Sequence, residues 1–402
     1  MQQGDLRSGT SFWRAIGPPP VACPVLDRDL TCDVVVVGGG ITGALVSYLL
    51  VRAGVDTVLV DRELPGCGST AASTGLLQYE VDTSLIELIQ KRGESQAVHA
   101  YRRGLSAIDE LEALAGELNQ PCGFDRRATL YLAGTEGDMA QLRREHECRR
   151  HFGFDVNCFE REALHEFSGI AAPGALYSAG DGQIDPYSFT QALLGAAQGA
   201  GLRAYRRVAV KSVEESPGRV TLPVGPFRIA ARAVVFATGY ASHAILRRGP
   251  GTLMTTYAAA SQPLPSFGSW PESCLIWETS RPYFYARQTA DGRALIGGED
   301  TPGAFDHEDE ALLAHKATLL GHRFEAMFPG LRFDPDYVWA GTFAETSDGL
   351  PYVGLLPGHE RVYFALGYGG NGITFGMIAA RLLTDFFLQR PNADAAVFCF
   401  ER

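Results

Sequence analysis

The stretch Cys32-Asp33-Val34-Val35-Val36-Val37-Gly38-Gly39-Gly40-Ile41-Thr42-Gly43 is an apolar strand that breaks into a glycine turn and opens a helix. Each glycine of the Gly38-x-Gly40-x-x-Gly43 spacing has its own purpose. Gly38 permits a tight turn, Gly40 lets bare backbone approach a pyrophosphate, and Gly43 lets the helix close on the strand, while the helix N-terminus turns its N–H groups to the anion. Ile41 and Thr42 form the first helical turn, and Ala44, Leu45, Tyr48, Leu49 and Leu50 carry the helix on. A second strand, Thr57-Val58-Leu59-Val60, ends in Asp61, an acceptor for a ribose hydroxyl. A glycine fingerprint alone is weak evidence; with a strand before it, a helix after it and an acid beyond, it predicts a dinucleotide cradle.

The next segment decides between cofactors. Pro65-Gly66-Cys67-Gly68-Ser69-Thr70-Ala71-Ala72-Ser73-Thr74-Gly75 is rich in small residues and hydroxyls. An NAD-binding unit would continue into another helix and strand, whereas Ser69, Thr70, Ala72, Ser73 and Thr74 suit an extended cofactor, with hydroxyl and backbone donors reaching phosphates and a ring system. FAD is the expectation, and an ordinary surface loop the alternative. Later, Ala233-Val234-Val235-Phe236-Ala237-Thr238-Gly239 reads as a buried strand returning to the dinucleotide, with Thr238 and Gly239 beside it. Gly367-Tyr368-Gly369-Gly370-Asn371-Gly372-Ile373-Thr374 then opens a helix that runs to about Leu388. Its N–H groups, turned to a flavin, would stabilise the negative charge that reduction creates; a tightly packed glycine loop is the alternative.

The 402 residues, 46 % hydrophobic, exceed what one core usually serves and imply two domains. A net charge of −11, with no block of like charges, argues against nucleic acid as a partner. The eight cysteines form no CxxC pair, so neither a zinc site nor a disulfide framework is expected, and no metal. His146, Cys148 and His151 fall on a charged helix, read as a solvated face. No secretory signal and no run long enough to span a membrane is visible, which leads to the expectation of a cytoplasmic location.

Periodicity predicts helices around Leu85–Ile89, with Ser84 and Glu87 spaced as a capping box, and around Val98–Leu118, Asp138–Phe152, Arg161–Phe167, Tyr187–Gly199 and Leu312–Phe328, the last headed by Glu308, Asp309 and Glu310. Strands are expected at Ala128–Leu132, Val208–Val210, Arg219–Leu222 and Phe227–Ile229, and Asp181-Gly182 is read as a turn. Tyr283–Arg287 and Arg293–Gly298 flank Ala290-Asp291-Gly292 as a hairpin.

On these motifs, together with Asp348-Gly349-Leu350-Pro351 and the Phe12-Trp13 lead into a proline-rich segment, the chain resembles the FAD-dependent D-amino-acid oxidase superfamily, specifically its glycine oxidase, sarcosine oxidase and gamma-glutamylputrescine oxidoreductase group. The resemblance covers nearly the whole chain. It implies an α/β fold: an FAD-binding Rossmann-like domain of the glutathione-reductase type (30–85, 170–245 and 338–395), interleaved with an α+β substrate domain on an antiparallel sheet (86–169 and 246–337) and preceded by an extended segment (1–29). It also implies an extended FAD with its adenine near Asp61 and Arg62, bordered by Val208, Gly341 and Thr374 as well. Three departures stand out. Phe343 falls where glycine-oxidase-like members hold the substrate carboxylate with an arginine; Gly341 and its neighbours fall where sarcosine-oxidase-like members attach flavin to a cysteine, so FAD is expected to be non-covalent; and Leu295 falls where that branch has a lysine that assists oxygen.

The expected activity is oxidation of a C–N bond in an amine or amino acid by hydride transfer to flavin N5, followed by hydrolysis of the imine, with oxygen or another acceptor taking the electrons. A flavin-dependent 2-hydroxy-acid dehydrogenase and a non-catalytic flavin-binding redox protein are the competing readings. Candidates for the substrate pocket are Tyr257, Arg281, Tyr283, Tyr285, Arg287, Phe343, Glu345, Tyr368 and Asn371, with Arg287 or Arg281 as the group that would meet a carboxylate. Tyr283 and Arg287 share a strand face, so Arg287 could orient a carboxylate, with ordinary hairpin packing as the alternative; Glu345 could attract a cationic, polyamine-like substrate.

Overall fold

In the computed structural model, which describes residues 7–118, 120–244, 251–303, 309–366 and 368–402, the chain builds two sheets with a cavity between their edges. The first is centred on Leu30–Val37, whose four valines are buried. Leu30–Val37 lies parallel to Thr57–Val60 on one side and to Phe227–Phe236 on the other; Arg203–Tyr205 and Val362–Leu366 extend the parallel set, and Tyr352–Leu355 closes it antiparallel. Strands buried on both faces read as continuous apolar runs, which is why this sheet was visible from composition. Phe227–Phe236 is one strand where the sequence suggested two. Ala230 and Ala231 carry the pairing across, because they pair with Thr31 and Cys32 on one side and with Thr221 and Val220 of the hairpin strand Arg219–Val224 on the other.

The helix Ile41–Arg52 packs on this sheet, and Gly43 is where it touches: a Cβ there would stand 1.8 Å from the Gly38 carbonyl oxygen. The helix Gly372–Phe387 lies alongside it, with Gly376 against Thr42 and Leu45. The start of Pro186–Gly199 follows from its sequence, since the Asp185 carboxylate accepts from the amides of Tyr187 and Ser188 while Pro186 needs no partner. Ser84 likewise caps Leu85–Arg92, accepting from the Glu87 amide, and Asp309 caps Glu310–Met327. Glu308 and Gly367 lie outside the described residues.

The second sheet is mostly antiparallel, running Arg7–Gly9, Pro335–Glu345, Thr252–Ser261, Ala294–Pro302, Phe284–Gln288, Leu275–Glu278, Asp125–Leu132, Gly174–Gln183 and Leu76–Leu77. Four details depart from the sequence reading. Gly174–Gln183 and most of Pro335–Glu345, which the sequence reading assigned to the nucleotide domain, pair in this sheet. Asp181-Gly182 is no turn but the end of that strand, where a register shift buries Asp181. Val208–Val210 forms no strand; after Arg207, in the left-handed region, the chain leaves the sheet and the Val208 amide bonds the Asp61 carbonyl. The N-terminal segment is not simply extended either. Phe12–Ile16 is a short helix whose Phe12 and Trp13 are buried, and the Trp13 indole N–H donates to the Ser73 carbonyl at 2.8 Å.

Candidate active site

A cavity of about 560 Å³ connects the N-termini of Ile41–Arg52 and Gly372–Phe387. At the first mouth Gly38, Gly40, Ile41 and Thr42 form the wall. Gly38 has φ 106°, a conformation open to glycine but strained for other residues, and its close contact with the Ala237 carbonyl leaves no room for a side chain. The Ile41 amide donates to Thr70 Oγ1 at 2.9 Å, which ties the small-residue loop across the helix start. Asp61 accepts the Gly39 amide at 2.6 Å through Oδ2 and the Glu63 amide at 2.7 Å through Oδ1. A carboxylate has about four lone-pair positions, so one on each oxygen remains for a hydroxyl from the cavity. Arg62, Val208 and Lys211 complete this end; Ser69, Thr70, Ala72, Ser73 and Thr74 line the middle, with Thr238, Gly239 and Gly341 opposite.

The second mouth is held by side chains. Gly369, Gly370, Asn371, Gly372 and Ile373 form its wall. The Asn371 amide group donates to the carbonyls of Gln78 at 2.9 Å and Glu80 at 2.8 Å, and the Gly370 amide donates to Asp82 Oδ2 at 3.1 Å. Asn371 therefore acts as a fastener for the helix start, and its candidate catalytic role is withdrawn, because its donors are committed to backbone. Thr374 sits behind the wall, its hydroxyl directed to the Gln78 carbonyl, and Gly43 is likewise a packing position.

The segment 78–86 that anchors this mouth rests on a buried ionic cluster. Arg149, 1 % exposed, pairs with Glu80 at 3.0 Å and Glu145 at 2.7 Å, and Glu145 accepts the amides of Leu85 and Ile86. Asp181 accepts from Thr129 and from the Tyr79 amide; burial, then the charge of Glu80, pushes its carboxyl well above the usual range.

Beyond the second mouth the wall turns aromatic, with Trp277, Tyr283, Tyr285 and Phe343. Trp277 stacks on Tyr131 with ring centroids 3.8 Å apart. Burial holds the Tyr283 phenol well above its ordinary value and pushes Tyr285 up to about 12, so both are neutral near pH 7. Asp82 faces the cavity here with its side chain exposed; the protein mass around it raises its carboxyl, against the Gly370 N–H and the Arg281 charge, which lower it.

Four candidates of the sequence reading, Arg281, Arg287, Tyr257 and Glu345, fall outside the lining. Arg287 shares the strand face of Tyr283 and Tyr285 but lies beneath the cofactor loop, 3 % exposed. Its Nη1 donates to the carbonyls of Thr74, Gly75 and Ile184, and its guanidinium sits 5.2 Å from the Trp13 ring centre. Burial lowers its pKa to about 9, and with those bonds it clamps the loop instead of meeting a substrate. Tyr257 points to the opposite face from Thr256, which does line the cavity, and its hydroxyl lies 3.0 Å from Thr301 Oγ1. Glu345, at the end of Pro335–Glu345, stands behind the lining. Sequence reasoning missed Gln78, Asp82, Trp277 and Thr342, which no local pattern marks.

The residues present fit FAD. The cavity is long, with a helix N-terminus at two places along it. Gln78 Nε2 is buried along its wall without a protein partner, which is costly unless something else bonds it. Such a chamber, floored by a parallel βαβ unit and roofed by a separate antiparallel sheet, defines a dinucleotide-dependent oxidoreductase. The chain matches the FAD dependent oxidoreductase (DAO) family over residues 33–386 and belongs to it. Among its relatives, a glycine oxidase of Geobacillus kaustophilus is 29 % identical, covering 92 % of this chain and 97 % of the relative. The gamma-glutamylputrescine oxidoreductase of Escherichia coli is 27 % identical, covering 96 % and 90 % respectively. The crystal structure of a Geobacillus kaustophilus glycine oxidase superposes with a TM-score of 0.80 at 24 % identity, covering 93 % of this chain and 99 % of that one, which shows the shared fold. No helix among the described residues is long and apolar enough to cross a membrane.

Proposed function

We propose that this protein oxidises a C–N bond of an amine or amino acid, holding one FAD with its pyrophosphate at the start of Ile41–Arg52 and its ring system at the start of Gly372–Phe387. The observation that carries the reading is one continuous cavity joining both helix mouths, with the aromatic group of Trp277, Tyr283, Tyr285 and Phe343 beyond the second. FAD held there would supply a two-electron acceptor for the C–N bond of a neutral amine, whose oxidised product water would hydrolyse.

The protein's own contribution is placement. Asp61 would accept the ribose, and the backbone around Gly40 would meet the phosphates. The N–H groups of the second mouth would stabilise negative charge on the ring; such helix-end interactions are worth about 0.3–1 kcal/mol each, and ~2 when partly buried. The aromatic wall excludes water and fixes the reacting carbon, and alignment of this kind can supply about 7–11 kcal/mol of a barrier. Tyr283 and Tyr285, kept neutral, are donors and not bases.

Anaerobic mixing of the reconstituted protein with amines, amino acids and 2-hydroxy acids tests this. Bleaching of the flavin band by a nitrogen compound, with ammonia or a shorter amine released, is the expected result. Bleaching by hydroxy acids alone, or by none, overturns it. Reoxidation by air, compared with that by a quinone, then tells whether oxygen or another carrier is the acceptor.

A further inference from the structure

From the charges around the aromatic end of the cavity we infer that the substrate is a cationic amine without a carboxylate on its reacting carbon, and that Asp82 receives a second, distal ammonium group. The inference rests on the reading of this cavity as the site of C–N oxidation, and specifies its substrate.

Among the described residues, five charged ones line the cavity. Asp61, Arg62, Glu63 and Lys211 belong to the nucleotide end, beside Gly39 and Val208; Asp82, bonded to the Gly370 amide, is the one among them at the aromatic end. Behind the lining there, Asp300 and Glu345 lie close enough to Asp82 to oppose one another's ionisation. The cation that answers them is Arg281, which also acts on all three. Its guanidinium is drawn aside, 4.9 Å over the Tyr283 ring, with Nη1 donating to the carbonyls of Thr279 and Ser280, and it does not form the cavity wall. With all four ionised, the described residues at this end hold three negative charges against one positive. A carboxylate entering here would meet Asp82 and a phenylalanine, Phe343, with no wall cation among the described residues to receive it.

Independent features point to a ligand in the same place. Trp277 and Thr342, 7 % and 2 % exposed, line the wall with Nε1 and Oγ1 unpartnered. Trp277, Tyr283, Tyr285 and Phe343 line this end, and aromatic rings are favourable neighbours for ammonium groups. Aromatic rings beside one carboxylate form a receptor for an alkylammonium: the reacting amine enters neutral, and the distal one stays protonated and pairs with Asp82. That pairing leaves the oxidised carbon bonded only to carbon, hydrogen and the reacting nitrogen.

The test compares 1,4-diaminobutane, n-butylamine and glycine as anaerobic reductants of the holoenzyme, with acetate as a non-reacting carboxylate probe. The diamine is expected to bleach the flavin at least about tenfold faster than butylamine, an advantage that one ion pair in a partly desolvated site can supply. Glycine bleaches least, and acetate leaves the flavin spectrum unperturbed. Asp82→Asn keeps an oxygen for the Gly370 N–H, and its FAD content is read from the bound-flavin spectrum; in the flavin-loaded variant the ratio of diamine to butylamine rates is expected to fall most of the way to one. Glu345→Gln, at an exposed strand end, lowers the same ratio by a smaller factor. The inference is overturned by faster bleaching with glycine than with the diamine, by a spectral response to acetate, by equal rates for the two amines including no bleaching by either, or by an unchanged ratio in Asp82→Asn. If FAD is bound and dithionite bleaches it, those outcomes count against the substrate alone; if FAD does not bind, the reading of the cavity itself fails.

Discussion

The two helix mouths that meet this cavity are made from opposite materials. The first is backbone: Gly38, Gly40 and Gly43 clear space, and every residue of the turn lies within a dozen positions of the next. The second is held from a distance: Asn371 bonds carbonyls nearly three hundred residues away, Gly370 bonds Asp82, and the segment carrying those partners rests on Arg149 and its two glutamates. The first mouth is thus a local motif that tolerates no added atoms. The second is a tertiary assembly, sensitive to groups well outside the cavity.

Breaking the support of the second mouth has the largest expected effect. Arg149→Met leaves Glu80 and Glu145 buried without their cation, and removal of one partner from such a cluster costs about 3–5 kcal/mol. Denaturant unfolding should report that loss. If the two mouths are independent, the folded remainder should still bind ADP, which needs only the first mouth, while FAD loses affinity. Gly43→Ala reverses the pattern. Its methyl would collide with the Gly38 carbonyl, an overpacking expected to cost ~3 kcal/mol and to weaken ADP and FAD together, as calorimetric titration would show. Equal behaviour of the two variants toward ADP would dissolve the distinction between the mouths.

Asn371→Ala is milder. It strands the carbonyls of Gln78 and Glu80, about 1–3 kcal/mol where they stay dry, and should reduce FAD affinity by roughly tenfold with ADP affinity unchanged. The smallest effect is on pH dependence. Burial first, then the charges of Glu345 and Asp82, push Asp300 up to about 6, with Thr256 and Arg281 opposing. Below that pH Asp300 is neutral, so the aromatic end, faced also by Asp82, Glu345, Arg281 and the neutral phenol of Tyr283, loses one negative charge. The ratio of diamine to monoamine reduction rates should accordingly fall as pH drops through 6. Taking the ratio cancels the protonation of the reacting amine, which affects both substrates alike.

The same contrast explains what could be read from the sequence. The valine strand, Gly38-x-Gly40-x-x-Gly43, Asp61 and the small-residue loop are local patterns with local causes, and the fold and the cofactor followed from them. The glycine run before Gly372–Phe387 was equally legible as a helix start. What held it was not, since nothing in Gln78-Tyr79-Glu80-Val81-Asp82 announces a partner so far along the chain. Arg287 misled for a related reason. Strand alternation fixed its face correctly, but the loop at Thr74 and Gly75 covers that end of the strand, so the guanidinium meets carbonyls instead of a substrate. Tyr257 erred by one residue of the same alternation, with Thr256 taking the wall. Val208–Val210 looked like a strand because it is apolar, yet Val208 packs on the core of the parallel sheet beside the cavity without joining the strands.

Equilibrium binding of FAD, ADP and FMN to the apoprotein tests most directly whether both mouths serve a single cofactor. One FAD should bind per chain, displaced competitively by ADP, with FMN binding far more weakly because it cannot reach the Asp61 end. FMN binding as tightly as FAD, or ADP failing to compete, would contradict a cofactor stretched between the two helices.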